Sequence, residues 1–241
     1  MNSMAARRAG PVATILLAAA SAAWAQGLAV RGHVSLVSAF SGKPAADNSQ
    51  AVVWLTPLDG PQVSWSPDEA GRFRLVQKNK RFVPHILVVP VGAVVEFPND
   101  DPFFHNVFSL FDGKRFDLGL YEAGTTRTVT FNSPGVSYIF CNIHPEMSAV
   151  VVATRSPYYA LSNAAGDFVI ANVPAGRYQL NVWHERCLPE NLKAATRDVA
   201  VSNSAPGLGE IRLPESGNLL ANHKNKYGQS YEPVPSSTLG Y

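Results

Sequence analysis

The sequence predicts an all-β protein built as two β-sandwiches. Three observations predict it. Apolar residues fall in short β-branched and aromatic runs, and none after residue 25 keeps a helical period. Clusters of Gly, Pro, Asn and Asp separate the runs, and eighteen glycines with eighteen prolines supply many such turns. Many short strands at this spacing are the pattern of sandwiches and barrels.

Taken in chain order, residues 1–25 stand apart. Arg7 and Arg8 precede an apolar stretch from Val12 to Ala23, and Ala23-Trp24-Ala25 has the small-x-small form of a cleavage site. This is the pattern of a secretory signal peptide, and the apolar run is short for a membrane span of roughly 20 residues. Strands are then expected at Ala51–Leu55, Ile86–Val89, Ala93–Phe97, Thr126–Phe131, Val136–Phe140, Ala149–Ala153, Asp167–Ile170 and Arg177–Trp183. Turn clusters lie at Pro98-Asn99-Asp100-Asp101-Pro102 and Asn163-Ala164-Ala165-Gly166. Leu188 to Arg197 can hold one short helix, and residues 203–241, rich in Pro, Ser, Gly and Asn, read as an extended C-terminal tail.

The whole chain carries 20 basic against 18 acidic residues, and loss of the leader removes two arginines and no acid. The balance is then neutral, which argues against nucleic acid as a partner. No G-x-S-x-G, no phosphate-binding glycine loop and no second set of clustered histidines is present, so no enzyme is expected.

Chemistry concentrates between residues 70 and 154. Cys141 ends an expected strand, and His144 and Met147 follow it as C-x2-H-x2-M, with Pro145 stiffening the loop. A tight loop can turn three side chains toward one point. A fourth donor must come from elsewhere at the same end of the sandwich, and His105, thirty-six residues upstream, is expected in such a loop. One thiolate, two imidazoles and one thioether are the donor set of a mononuclear copper site, His₂Cys with a weak axial Met. Two other readings stay open. A Cys141–Cys187 disulfide is possible in an oxidising compartment, but it leaves the histidines and Met147 unexplained. Zinc could use the same residues, although it seldom takes Met. His85, in an apolar strand, is a weaker metal candidate. His184, Glu185 and Cys187 form a run that reads as structural.

These motifs carry two resemblances. Arg81 to Thr154, with Asn99-Asp100, His105-Asn106-Val107 and Cys141-Asn142-Ile143-His144-Pro145-Glu146-Met147, resembles the plastocyanin, pseudoazurin and amicyanin group of cupredoxins. The resemblance implies a Greek-key sandwich, copper held by His105, Cys141, His144 and Met147, and Asn106 hydrogen-bonding around the cysteine sulfur. Glu146 departs from the small or aromatic residue common in related loops. Residues 28–60, with Val30-Arg31-Gly32-His33-Val34 and Gly42-Lys43-Pro44, and residues 160–183, with Gly166-Asp167-Phe168 and Pro174-Ala175-Gly176-Arg177-Tyr178, together resemble the carboxypeptidase regulatory-like (transthyretin-like) β-sandwich.

The expected organisation is therefore a leader at 1–25, the regulatory-like sandwich in two parts at 28–60 and 155–202, a cupredoxin domain at 70–154, and the tail at 203–241. Two arrangements are open. The cupredoxin is inserted into the other sandwich, or residues 28–76 close on themselves through Glu69-Ala70-Gly71-Arg72-Phe73-Arg74-Leu75, a weaker match to the same hairpin. The expected function is one-electron transfer by a periplasmic or secreted copper protein, with a periplasmic redox protein as partner. A copper carrier and a cell-envelope binding module with an auxiliary copper site are the alternatives. The apolar residues Phe103, Phe104 and Pro145 could form a docking patch around His144.

Overall fold

The computed structural model describes residues 27–60, 65, 73–110, 113–204, 207–217 and 223–231. The expected leader and residues 232–241 of the tail lie outside them. The described residues form strands β1 (Leu28–Ser38), β2 (Val52–Pro57), β3 (Phe73–Arg74), β4 (Val76–Lys78), β5 (Arg81–Val83), β6 (Ile86–Pro90), β7 (Ala93–Pro98), β8 (His105–Ser109) and β9 (Phe116–Tyr121). They continue with β10 (Thr126–Phe131), β11 (Gly135–Phe140), β12 (Ser148–Thr154), β13 (Tyr159–Leu161), β14 (Asp167–Val173) and β15 (Gly176–Trp183). Helix α1 (Pro189–Ala195), β16 (Arg197–Val201) and β17 (Gly207–Glu215) follow. The architecture is all-β, as the turn-punctuated runs predict. No helix among the described residues is long and apolar enough to cross a membrane.

Strand pairing divides the chain into two sandwiches. In the first, a sheet of order β14-β1-β17 faces a sheet of order β13-β2-β15-β16 across a core of Val30, Val34, Leu36, Leu55, Phe168, Ile170, Leu180 and Ile211, among others. In the second, sheet β6-β12-β11-β8-β9 faces sheet β10-β7-β3 across a core that includes Leu75, Val95, Phe97, Val107, Phe131, Ile139 and Val151. Strands β1 and β2 thus pair with strands after residue 158, and β3 to β12 lie between them in sequence. Phe73 and Arg74 pair with Val95 and Glu96 of the second sandwich.

The motif residues of the first sandwich meet one another. Gly32 pairs with Phe168, whose ring covers it so closely that a Cβ at Gly32 would lie 2.3 Å from the ring. Gly166 has φ +98°, and a Cβ there would lie 2.1 Å from the Val34 carbonyl oxygen. Only glycine fits both positions without displacing a neighbour. The Tyr178 hydroxyl donates back to the Pro174 carbonyl at 2.8 Å and so closes its own hairpin.

The two sandwiches are stacked through their middle sheets. In β12, Ala149, Val151 and Ala153 enter the second core, while Val150 and Val152 point the other way. These two join Val52, Ile86, Val88 and Trp183 in a third cluster between the sheets. A strand buried on both faces reads as an unbroken apolar run, which is why residues 149–153 lack a polar alternate position.

One polar pair spans this junction. His85, before β6, donates from Nε2 to Glu185 at 2.7 Å and from Nδ1 to the Ser148 carbonyl at 3.1 Å. Both partners accept, so the protonated ring can donate to both. The hydrogen bond to Glu185 raises the His85 pKa above its ordinary 6.5, against the effect of burial. The same bond lowers Glu185 below its ordinary 4.5. The stability His85 contributes is fully present below pH 6.5 and is lost as pH rises through its raised folded value. That of Glu185 is present above 4.5 and is lost as pH falls through its lowered value. His85→Gln is therefore expected to cost most stability between these two ordinary values and progressively less toward alkaline pH. Thermal melts of both proteins from pH 4 to pH 9 check this, and a cost that does not vary with pH would refute it.

The tail departs from expectation. Gly207–Glu215 is not extended tail but β17, running parallel to β1 and burying Leu208, Ile211 and Leu213 in the first core. The register shifts between Arg31 and His33 of β1, opposite Gly207 and Glu210. That bulge puts Leu208 and Ile211 on one face although they are three apart, which hides the period-two signal.

Candidate metal centre

Two strands and one loop at one end of the second sandwich build the centre. His105 opens β8 rather than lying in a loop as expected, and it is fully buried. Cys141 directly follows β11 and is also fully buried. The loop from Cys141 to Met147 is closed by its own backbone. The Cys141 N–H donates to the Met147 carbonyl at 3.2 Å, and the Met147 N–H donates to the His144 carbonyl at 3.1 Å. This places His144, half-buried, over the same point.

The three donor atoms face one another. Cys141 Sγ lies 3.7 Å from His105 Nδ1 and 3.6 Å from His144 Nδ1, and the two Nδ1 atoms are 3.1 Å apart. Among the described residues this is the one group of three or more His, Cys, Asp or Glu side chains that could hold a metal ion. The circumcentre of the triangle is about 2.0 Å from each atom, close to the roughly 2.0–2.1 Å and 2.3 Å of metal–imidazole and metal–thiolate bonds. A thiolate and two imidazoles in one plane fit copper, which takes sulfur in its lower oxidation state and imidazole in its higher one.

Each donor is aimed by a neighbour. Asp101 accepts from His105 Nε2 at 2.8 Å, which holds the ring with Nδ1 toward the cluster. Asp101 also accepts from the N–H groups of Asn79 and Lys80 at 2.6 and 2.9 Å. Burial would raise its pKa, but the bonds from Lys80, His105 and Asn79 outweigh this and hold the carboxylate ionised. The backbone N–H groups of Asn106, Ile143 and His144 act on the Cys141 sulfur. Burial still raises the Cys141 thiol above its usual range, so without a metal it keeps its proton. Burial, then the neighbouring His105, lowers the His144 pKa, which favours the neutral ring that can serve as a donor. Phe103 packs against both rings, with centroids 5.2 and 5.6 Å from His105 and His144.

The remaining expected residues divide. Met147 is fully buried in the same core cluster as Cys141. Asn106 meets the cysteine through its backbone, while its side-chain amide donates to Asp117 at 2.8 Å. His85 does not belong to the site: its two ring nitrogens are engaged by Ser148 and Glu185 at the junction between sandwiches. The disulfide reading also falls, because Cys141 and Cys187 are both free thiols, buried in different cores. Burial pushes the Cys187 thiol up to about 12. His184 Nε2 donates to the Ser49 carbonyl, and Glu185 turns to His85. In the sequence Asp101 stands only as a turn residue four places before His105, with nothing that marks it as that ring's partner. Phe104 and Ile143 are exposed apolar side chains, 51% and 45%, next in sequence to Phe103 and His144.

No family model matches the sequence, and no curated protein matches it. Among solved structures, the chain is similar to a purple cupredoxin from Nitrosopumilus maritimus, at 24% identity over 34% of this chain and 99% of that one, with a TM-score of 0.31. It is similar to a copper-containing nitrite reductase from Thermus scotoductus SA-01, at 23% identity over 42% of this chain and only 25% of that one, with a TM-score of 0.34. It is also similar to a variant of amicyanin in its reduced state, at 21% identity over 42% of this chain and 99% of that one, with a TM-score of 0.33. Apart from these likenesses, β3 to β12 form a two-sheet β-sandwich with the donor cluster at one end.

Proposed function

We propose that this chain is a mononuclear copper protein that carries single electrons between redox partners outside the cytoplasm. His105, Cys141 and His144 would hold the metal, with Met147, buried in the same core cluster, as the fourth donor. The observation that carries this reading is the triangle of donor atoms, 3.1 to 3.7 Å apart and braced from behind. Copper held there supplies a one-electron couple between its two common oxidation states. The protein's part is rigidity. Asp101 keeps the His105 ring oriented, three N–H groups stabilise charge on the Cys141 sulfur, and the closed loop keeps His144 in place. Donors that do not move between states keep reorganisation small.

Access supports transfer of electrons over transfer of metal. His105, Cys141 and Met147 are fully buried, which shields them from an incoming ligand. Only His144 is half-buried, and the exposed apolar side chains Phe104 and Ile143 stand next in sequence to Phe103 and His144. Such exposed apolar residues suit the small, transient interfaces of redox encounters. The first sandwich is read as a regulatory-like module on the meeting of Gly32 with Phe168 and the closure of Tyr178 on Pro174. It serves as a platform stacked behind the copper unit.

Copper(II) added to the purified chain is expected to give an intense thiolate-to-copper band that ascorbate bleaches and reoxidation restores. Copper bound without that band, or a band that does not return, would overturn the electron-carrier reading. A chain that takes zinc but no copper would overturn the copper assignment itself.

A further inference from the structure

We infer that the C-terminal segment 223–231 is a working part of the metal centre: it positions the cysteine ligand, and its docking is coupled to metal loading. The inference rests on the copper reading above and adds to it a segment far away in sequence.

Residues 223–231 follow β17, the last strand of the first sandwich, yet they contact the ligand loop and its neighbouring strands in the second. The Tyr231 hydroxyl donates to the carbonyl of Cys141 at 2.9 Å. The Lys226 N–H donates to the side-chain oxygen of Asn142 at 3.0 Å. The His223 ring stacks on Phe140, with centroids 4.1 Å apart and planes 17° from parallel. Its edge meets the Tyr231 ring at 5.2 Å. Three consecutive residues, the cysteine and its two neighbours, are thus each held by this segment.

A second chain of hydrogen bonds leads toward the sulfur. Lys226 Nζ donates to Asp117 at 2.8 Å, and Asp117 accepts from the Asn106 side chain at 2.8 Å. The Asn106 backbone N–H is one of the three that act on the Cys141 sulfur. The segment can exert this hold because it has a shape of its own. Asn225 Oδ1 accepts from the N–H groups of Tyr227 and Gln229, both at 3.0 Å, and the Asn225 N–H donates to the Gln229 carbonyl at 2.9 Å.

Free energy that couples two sites is reciprocal. If the docked segment favours the donor geometry, bound metal must favour the docked segment. Hydrogen exchange of the full-length chain, with and without copper(I), reads one side of this coupling. The amides of residues 223–231 are expected to exchange at least several-fold more slowly with copper. Tyr231→Phe and Lys226→Met, each in the full-length chain, read the other side. Each is expected to weaken copper(I) binding by about 3- to 10-fold, the share of one hydrogen bond. Each should also shift the thiolate band and the reduction potential, which a role confined to fold stability would leave in place. The double variant is expected to lose more than either single one. Exchange in 223–231 that ignores copper, together with wild-type affinity, band and potential in both variants, would overturn the coupling while leaving the copper reading intact. A wild-type chain that binds no copper would overturn both.

Discussion

Cys141→Ser is expected to remove the visible thiolate band from the copper-loaded protein and to weaken copper(I) binding more than any other single change. The reason is the donor chemistry. Cys141 is the only thiolate of the cluster, and copper(I) prefers soft sulfur to imidazole. Loss of an outer hydrogen-bond partner costs roughly 10–100-fold in metal affinity, and loss of a donor from a three-donor plane costs more. The fold gives no competing explanation. A serine hydroxyl at this buried position can still accept from the N–H groups of Asn106, Ile143 and His144, so the metal-free melting temperature is expected to move little. Absorption after copper addition and a competition titration against a copper(I) chelator check the two effects. A serine variant that kept the band would place the chromophore elsewhere and sink the assignment.

Much of this centre was legible in the sequence because three of its four expected donors share one loop. Cys141, His144 and Met147 stand at spacings that a single turn can gather. His105 was legible by chemistry, as the imidazole a fourth donor requires, but its position at the start of β8 was not. Asp101 was not legible because its role depends on how residues 99–103 curl back. Asn99 fixes that curl: its side chain accepts from the Asp101 N–H at 3.1 Å and donates to the Phe103 carbonyl at 2.8 Å. Such a loop has no period to read. The stacking of the two sandwiches was half legible. An unbroken apolar run at 149–153 says that both faces are buried, but not that Trp183 and Val52 cover one of them. The hold of Tyr231 on Cys141 spans ninety residues, and no local pattern announces a contact of that range.

Asp101→Ala is expected to damage both the metal-free fold and the metal site, and the conservative Asp101→Asn to separate the two effects. The Asp101 carboxylate is only 4% exposed and serves three donors. Two of them, the N–H groups of Asn79 and Lys80, belong to the turn between β4 and β5, where both residues have positive φ, +54° and +53°. A left-handed pair without glycine persists only where its surroundings hold it. The third donor is His105 Nε2. Alanine leaves all three without an acceptor, at about 1–3 kcal/mol for each buried donor and less than their sum where water enters. A loss of about 3 kcal/mol in the metal-free protein is therefore expected, measured by chemical denaturation. The freed His105 ring should weaken copper binding roughly 10–100-fold. Asparagine offers one acceptor in place of two. With its oxygen where Oδ2 sits, it still serves His105 and Lys80 and loses Asn79. Copper affinity should then return most of the way while part of the stability loss remains. If Asp101→Ala bound copper as tightly as the wild type, the carboxylate would be a brace for the turn alone, and His105 would owe its orientation to the surrounding core.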